Sequence, residues 1–337
     1  MMAGTGKYNL ITDVDGIRVG NAGNDGLMSG VSVVLPPAGT VAAVDVRGGG
    51  PATRETDALS PDCLVEEIHG LVLSGGSVFG LAAADGIIAG LAEKGVGFRF
   101  GAQPHPCPVV PSACLFDLIN GGDKNWNNVS PYRALGQKAL DAADQHFALG
   151  NHGAGLGALA GTLNGGLGSA SARFDGLTIG ALAAVNSFGS AVAPGTNALW
   201  ASPFVMGDEF PAKPVPHASH EHIDVGTKAE VIKGASQPGA NTTLCVVATD
   251  AALTKAQTKR LAIMAQDGLA RALRPVHTPF DGDIVFALAT RGIEAPVDAA
   301  HLMRIGAVAA DCLARAIARG VWEARAIGGH AALRDKI

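Results

Sequence analysis

The sequence predicts an α/β fold, on two observations. Short apolar runs of strand length recur along the chain, each closed by glycine, asparagine or aspartate turn signals. Between and after them lie longer stretches whose apolar residues return every three to four positions, the period of an amphipathic helix. A third observation bears on packing. The 337 residues include 46 glycines, which fall inside apolar segments without a collagen period. Such glycines mark turns and close backbone approaches rather than disorder. With 47% hydrophobic and 16% charged residues, the chain can bury the core of one large domain or two small ones. A chain this low in charge often hides apolar surface by self-association.

The elements follow in order. Strands are expected at Tyr8–Ile11, Ile17–Val19, Val31–Leu35 and Val41–Val46, with turns at Asp15-Gly16 and Asn24-Asp25-Gly26. The loop Arg47-Gly48-Gly49-Gly50-Pro51 through Asp57 carries charges that could line a pocket or merely form solvated ion pairs; it lacks the ending of a phosphate-binding loop. Leu71-Val72-Leu73-Ser74-Gly75-Gly76-Ser77 runs from a strand into a turn. A helix then extends to Glu93, with Phe79, Ala83, Ile87 and Leu91 on one face. That junction is of a kind that can hold an anion. Residues 101–131 read as a long irregular connection, and a helix is expected from Tyr132 to about Leu149. Residues 151–168 are again glycine-rich. Leu177–Asn186 is a buried strand ending in a polar residue. From Pro194 to Ala240 the composition turns to Pro, His, Lys, Glu and Ser, an exposed or disordered linker by expectation. The C-terminal part offers an amphipathic helix from Thr254 to Leu273, a turn at Thr278–Asp283, a strand at Ile284–Ala289, and a last helix capped by Asp298 and running to about Arg319. No internal repeat is found.

Several function classes are excluded by composition. A net charge of −5 without any Lys/Arg run points to neither nucleic acid nor an anionic membrane. The five cysteines (63, 107, 114, 245 and 312) are odd in number and form no CxxC pair, so neither a disulfide framework nor a zinc site is signalled. His217, His220 and His222 sit on the Pro-rich stretch at a spacing that matches no standard metal geometry, so no metal and no cofactor is expected. No apolar leader and no run of eighteen apolar residues occurs, which reads as a soluble cytoplasmic protein.

The chemistry concentrates at Asn241-Thr242-Thr243-Leu244-Cys245-Val246-Val247-Ala248, a polar junction followed by an apolar strand. A threonine hydroxyl needs a base beside it to act as a nucleophile. No Ser-His-Asp arrangement is assignable, and the segment around Ser77 has Phe79 where a nucleophile elbow requires glycine. Cleavage before Thr242 solves the base problem, because the new α-amine has a reference pKa of about 7.7–8.0. Thr243 competes on residue type alone. Asp281 and Asp283, at i and i+2, would present both carboxylates on one face of an extended segment and aim them at Thr242, or else form a solvated turn. Asn186 and the Tyr132 hydroxyl are candidate donors to an oxyanion.

Taken together, these stretches resemble peptidase family S58, the L-aminopeptidase/D-amino-acid esterase or amidase family of N-terminal-nucleophile hydrolases. The matching pieces are 11–20, 47–51 with 55–57, 73–86, Phe116-Asp117-Leu118, Pro131-Tyr132-Arg133, Gly165-Gly166-Leu167-Gly168 and 246–250. The resemblance implies a single hydrolase domain built as a four-layer α/β/β/α sandwich. It implies self-cleavage between Asn241 and Thr242 into a large and a small subunit, and a homo-oligomer, a homotetramer, of such pairs. It places the nucleophile at Thr242 and two assisting carboxylates at Asp281 and Asp283, with Tyr132 and Asn186 near the scissile carbonyl. The Asn-Thr junction and Asp-x-Asp pattern are similar to the nylon-oligomer (6-aminohexanoate oligomer) hydrolase branch, whose substrates are ω-amino-acid amides; small peptides are the alternative substrate class. One departure stands out: family members often carry Lys before the Gly-Gly of 165–166, where this chain has Asn164. Two other readings are an acyltransferase similar to ornithine acetyltransferases and an unprocessed, non-catalytic binding protein.

Overall fold

The chain's computed structural model describes residues 4–217 and 223–337. Two five-stranded sheets stack face to face. The first runs β1 (Arg18–Asn24), β2 (Ser29–Leu35), β5 (Leu71–Ser74), β6 (Ser112–Cys114), β4 (Ala52–Arg54). The second runs β3 (Val41–Val46), β12 (Ile284–Ile293), β11 (Thr242–Ala251), β10 (Leu177–Asn186), β9 (Gly166–Phe174). A short ribbon joins β7 (Leu159–Ala160) to β8 (Leu163–Asn164). Helices α1 (Ala83–Glu93) and α2 (Tyr132–Asp141) cover the outer face of the first sheet. Helices α3 (Lys255–Ala265), α4 (Asp267–Ala272) and α5 (Ala299–Glu323) cover the outer face of the second. The expected α/β/β/α sandwich is therefore present.

Side-chain alternation along the strands builds the layers. On β11, Leu244, Val246 and Ala248 enter the core between the sheets, while Cys245 and Val247 enter the core under α3–α5. On β12, Ile284, Phe286 and Leu288 face the other sheet, and Val285, Ala287 and Ala289 face the helices. The first sheet divides in the same way: Val31, Val33 and Val72 meet α1 and α2, while Val34, Leu71 and Leu73 face inward. Strands covered on both faces need apolar residues at every position, which is why these segments read as unbroken apolar runs.

Several expectations are corrected. Residues 8–11 form no strand. The Asp13 carboxylate accepts the N–H groups of Tyr8 (2.9 Å) and Leu10 (3.1 Å), so the donors a ladder would use close a turn instead. Helix α2 stops at Asp141 because Asp144 pairs with Val19, drawing the chain onto the edge of β1. Helix 254–273 is split at Gln266. Phe79 is exposed and stacks edge-on against Trp126 rather than entering the core. The glycine-rich run at 166–168 opens strand β9, where α5 crosses so closely that a Cβ at Gly168 would collide with the Ala316 carbonyl. The stretch 194–240 is more than an exposed linker, since Phe210, Lys228, Ile232, Ala235 and Ala240 are buried in it. His217 is exposed, whereas His220 and His222 lie outside the described residues.

Candidate active site

Three pieces of backbone converge at one corner of the sandwich: the end of β10, the start of β11 and the turn that leads into β12. Thr242 and Asn186 are register partners across β11 and β10. Alternation puts both on the face between the sheets, with Leu244 and Ala184. Thr243 falls on the opposite face, and its buried hydroxyl has no hydrogen-bond partner. The strand β12 lies parallel beside β11, Leu244 opposite Ile284, so the 278–283 turn ends next to Thr242.

The peptide bond between residues 241 and 242 is held from both sides. The Asn241 N–H donates to the Phe280 carbonyl at 3.2 Å, and the Asn241 carbonyl accepts the Gly282 N–H at 3.0 Å. The Thr242 hydroxyl donates to that same carbonyl oxygen. The Asn241 side chain donates to the Ala235 carbonyl at 2.8 Å. Asn241 and Thr242 are both buried. The glycine-rich loop holds this turn through its backbone: the N–H groups of Arg47 and Gly48 bond the Asp283 carbonyl, and the Gly50 N–H bonds that of Asp281 at 2.8 Å. A Cβ at Gly50 would strike Gly239. The loop's charges do not converge here, because Arg47 pairs with Asp45 and Arg54 with exposed Asp85.

Asp281 and Asp283 are both buried, and neither accepts the Thr242 hydroxyl. The turn covers residues 279–280, and Asp281 to Asp283 follow it into β12. Asp283 accepts the Thr243 N–H at 2.8 Å, the His277 N–H at 3.0 Å and the His277 ring Nδ1 at 3.0 Å, and so fixes the first residues of β11. Asp281 accepts the Phe188 N–H at 3.0 Å and the Thr278 hydroxyl at 2.5 Å. Burial, and then the charge of Asp283, push the Asp281 carboxyl up to about 7, against the hydrogen bonds from Thr278 and Phe188 and the charge of Lys228.

That shift has a signed consequence. The folded protein holds the Asp281 proton more tightly than the unfolded chain, whose carboxyl titrates near ~3.9. Stability from this group is therefore complete below about 4 and is lost as pH rises to about 7. Between those limits the melting temperature of the wild type is expected to fall relative to that of Asp281→Asn, and to run parallel to it above them. A difference that stays constant across the window refutes the shift.

Asn186 is enclosed. Its Oδ1 accepts from Asn120 Nδ2 (2.9 Å), the Leu159 N–H (3.1 Å) and Lys228 Nζ (2.8 Å), and its Nδ2 donates to the Phe116 carbonyl (2.8 Å). Tyr132 lies further out, in the core under α1 and α2. Its hydroxyl meets Ser29 Oγ at 2.9 Å, and Ser29 donates to Asp117 at 2.6 Å. Burial and the nearby Asp117 carboxylate push the Tyr132 hydroxyl upward. Asp117 also accepts the Gly76 N–H at 2.8 Å, so the strand–helix junction holds the protein's own carboxylate rather than an external anion. Asn164 turns its Nδ2 to the His330 carbonyl at 2.6 Å, and its Oδ1 is buried without a partner.

The structure thus brings Asn241, Thr242, Asn186, Asp281 and Asp283 to one corner and sets Tyr132 behind it. Sequence reading missed Lys228, His277, Asn120 and Gly282. Nothing in the sequence separates Lys228 from Lys213 or Lys233 on the same stretch. The Phe116-Asp117-Leu118 motif was the only sign of Asp117 and the neighbouring Asn120.

The fold is that of the N-terminal-nucleophile hydrolases. It matches a beta-aminopeptidase of Burkholderia sp. with a TM-score of 0.71 at 23% identity, over 99% of this chain and 95% of that one. It also matches the L-aminopeptidase D-Ala-esterase/amidase of Ochrobactrum anthropi, described as a variant of that fold, with a TM-score of 0.68 at 23% identity, over 96% and 88%. The chain belongs to peptidase family S58, whose sequence pattern matches residues 9–334. It is accordingly a hydrolase of peptide or amide bonds. It is similar to an uncharacterized aminopeptidase of Mycobacterium tuberculosis, 44% identical over 348 residues covering 97% of each chain. A 6-aminohexanoate-oligomer endohydrolase of Kocuria sp. is 29% identical over 300 residues, 87% of this chain and 78% of that protein. Among the described residues no helix is long and apolar enough to cross a membrane, and no cluster of His, Cys, Asp or Glu could hold a metal ion.

Proposed function

We propose that the chain cleaves itself between Asn241 and Thr242 and that Thr242, once N-terminal, is the nucleophile of an amide hydrolase. One observation carries the reading: the Asn241 carbonyl oxygen sits between the Thr242 hydroxyl and the Gly282 N–H. A hydroxyl beside its own preceding carbonyl is placed for attack on that carbon. The N–H is placed to take the charge that develops on the oxygen. Attack by Thr242 Oγ1 breaks the C–N bond, and the hydroxyl proton goes to the leaving nitrogen. The product is an ester of Asn241 on Thr242. Water opens it, giving the Asn241 carboxylate and a free hydroxyl beside a free α-amine.

The same hydroxyl then attacks a substrate amide. The α-amine takes its proton and passes it to the leaving amine, after which water hydrolyses the acyl ester. Asp283 holds the start of β11 in place, and the Asn186 amide offers an N–H to the oxyanion. Tyr132 acts from behind, through Ser29 and Asp117. Candidate substrates are small peptides with a free N-terminus and ω-amino-acid amides, by likeness to the aminopeptidases and to the 6-aminohexanoate-oligomer hydrolase. Association of the processed pairs into a homotetramer is part of the same reading.

Intact-mass spectrometry of the purified protein is expected to give pieces 1–241 and 242–337. The cleaved protein is expected to hydrolyse at least one of an aminoacyl p-nitroanilide, a β-peptide and a 6-aminohexanoate dimer. A chain that stays whole for days, or one that passes the acyl group to an amino acid such as ornithine instead of to water, overturns the reading.

A further inference from the structure

A fully buried lysine sits behind this corner. Lys228 comes from the Pro-rich stretch between β10 and β11, where nothing in the sequence predicts a core residue, yet none of its side chain reaches solvent. Burying an ammonium is costly unless its surroundings answer the charge. Its Nζ donates to Asn186 Oδ1 at 2.8 Å. Burial lowers the ammonium to about 7, against the charges of Asp281 on the turn before β12 and Asp117 on the loop after β6. Its backbone is tied to the same place: the Lys228 N–H donates to the Phe188 carbonyl at 2.9 Å, and the Phe188 N–H donates to Asp281 at 3.0 Å. Both ends of the residue are thereby fixed to the chain that leaves Asn186.

We infer that Lys228 is a positioning residue for the hydrolytic reaction, holding the Asn186 amide in one orientation and polarising it toward the oxyanion beside Thr242. The inference rests on the roles given to Thr242 and Asn186 above. Three donors meet Asn186 Oδ1, so the oxygen end of the amide is fixed by its partners, and the nitrogen end faces the Phe116 carbonyl. One of the two N–H groups goes to that carbonyl. The other takes no acceptor among the described residues. When protonated, the Lys228 ammonium beside the amide oxygen draws electron density away from the nitrogen and strengthens this free N–H as a donor. Lys228 and Asn186 are both fully buried, and in such surroundings polarisation has its largest effect. Asn164 cannot supply it, since its amide is neutral and its nitrogen is committed to carbonyl oxygens of 327–331.

The test is a double-mutant cycle read as kcat and KM separately. Lys228→Met keeps the length and removes both charge and hydrogen bond. Lys228→Gln keeps a neutral donor. In the processed enzyme, Lys228→Met is expected to lower kcat by about 10²-fold, the effect of weakening one oxyanion donor, with KM little changed. Lys228→Gln is expected to fall between it and the wild type. In an Asn186→Ala background, Lys228→Met is expected to have almost no further effect on kcat. A lysine that only supports packing predicts the reverse: Lys228→Met lowers the melting temperature but leaves kcat per folded site as it was, in the wild-type and in the Asn186→Ala background alike. That pattern, or a wild-type kcat in folded Lys228→Gln, overturns the proposal. The wild type separates this outcome from failure of the parent reading. If wild type is cut at 241/242 and turns over while Lys228 variants match it, only the role of Lys228 falls. If wild type stays whole, the Thr242 reading falls with it.

Discussion

Thr242→Ala is expected to accumulate as one uncut chain of 33.9 kDa and to show no hydrolysis above background. The loss in kcat is expected to be on the order of 10⁶-fold, as when a hydrolase loses its nucleophile. The reason lies in a single oxygen that serves twice. Thr242 Oγ1 donates to the Asn241 carbonyl, and in the proposed reaction it becomes, after the cut, the hydroxyl next to a new amine. Removing it abolishes the first reaction and the site for the second. Thr242→Ser keeps the oxygen and is expected to process. Thr243→Ala is the control that residue type alone cannot provide. Its hydroxyl points into the core under α3–α5 and bonds nothing, so its removal leaves no partner unsatisfied. Thr243→Ala is expected to cleave at the wild-type rate. If Thr243→Ala stays whole while Thr242→Ala is cut, the nucleophile is the neighbour.

What the sequence could and could not announce follows from the kind of signal each feature leaves. Strands β10, β11 and β12 were legible because both of their faces are buried, and two buried faces force an unbroken apolar run. Strand β9 was not legible. Close passage of α5 demands glycine and small residues, and those erase the apolar alternation by which a strand is recognised. The N-terminal residues read as a strand by composition, but a single carboxylate, Asp13, captured their backbone donors. In the candidate site, the Asn-Thr junction and the Asp-x-Asp segment stand out in the sequence because each is a short run of neighbouring residues that matches a family pattern. Lys228 was not found. Its meaning comes from Asn186, 42 positions away, and from two carboxylates on other elements. A polar residue in a Pro-rich stretch looks the same whether it is solvated or buried. Only the fold says which.

The contact between the 278–283 turn and Thr242 gives the second large expectation. Gly282→Ala is expected to slow self-cleavage by about 10²–10³-fold, as when an oxyanion donor is lost, while the protein still folds. Gly282 does not need a left-handed backbone, so the substitution is not strained in that respect. The obstacle is space. A Cβ there would lie 2.6 Å from Thr242 Oγ1 and 2.7 Å from the Gly50 carbonyl oxygen. Neither neighbour can yield without consequence. If the hydroxyl moves, it leaves the Asn241 carbonyl. If the turn moves, the 3.0 Å bond from the Gly282 N–H to the same carbonyl breaks. Either way the geometry proposed to activate the 241–242 bond is lost, at an overpacking cost of about 1–3 kcal/mol to the fold. Gly292→Ala, on β12 further along, is the matched control, because the nearest atom to its added methyl would be an ordinary 3.8 Å away. Cleavage followed by intact mass over time should separate the two variants by at least a factor of ten. Equal rates would mean that Gly282 is small for packing alone and that another group receives the charge on the Asn241 oxygen.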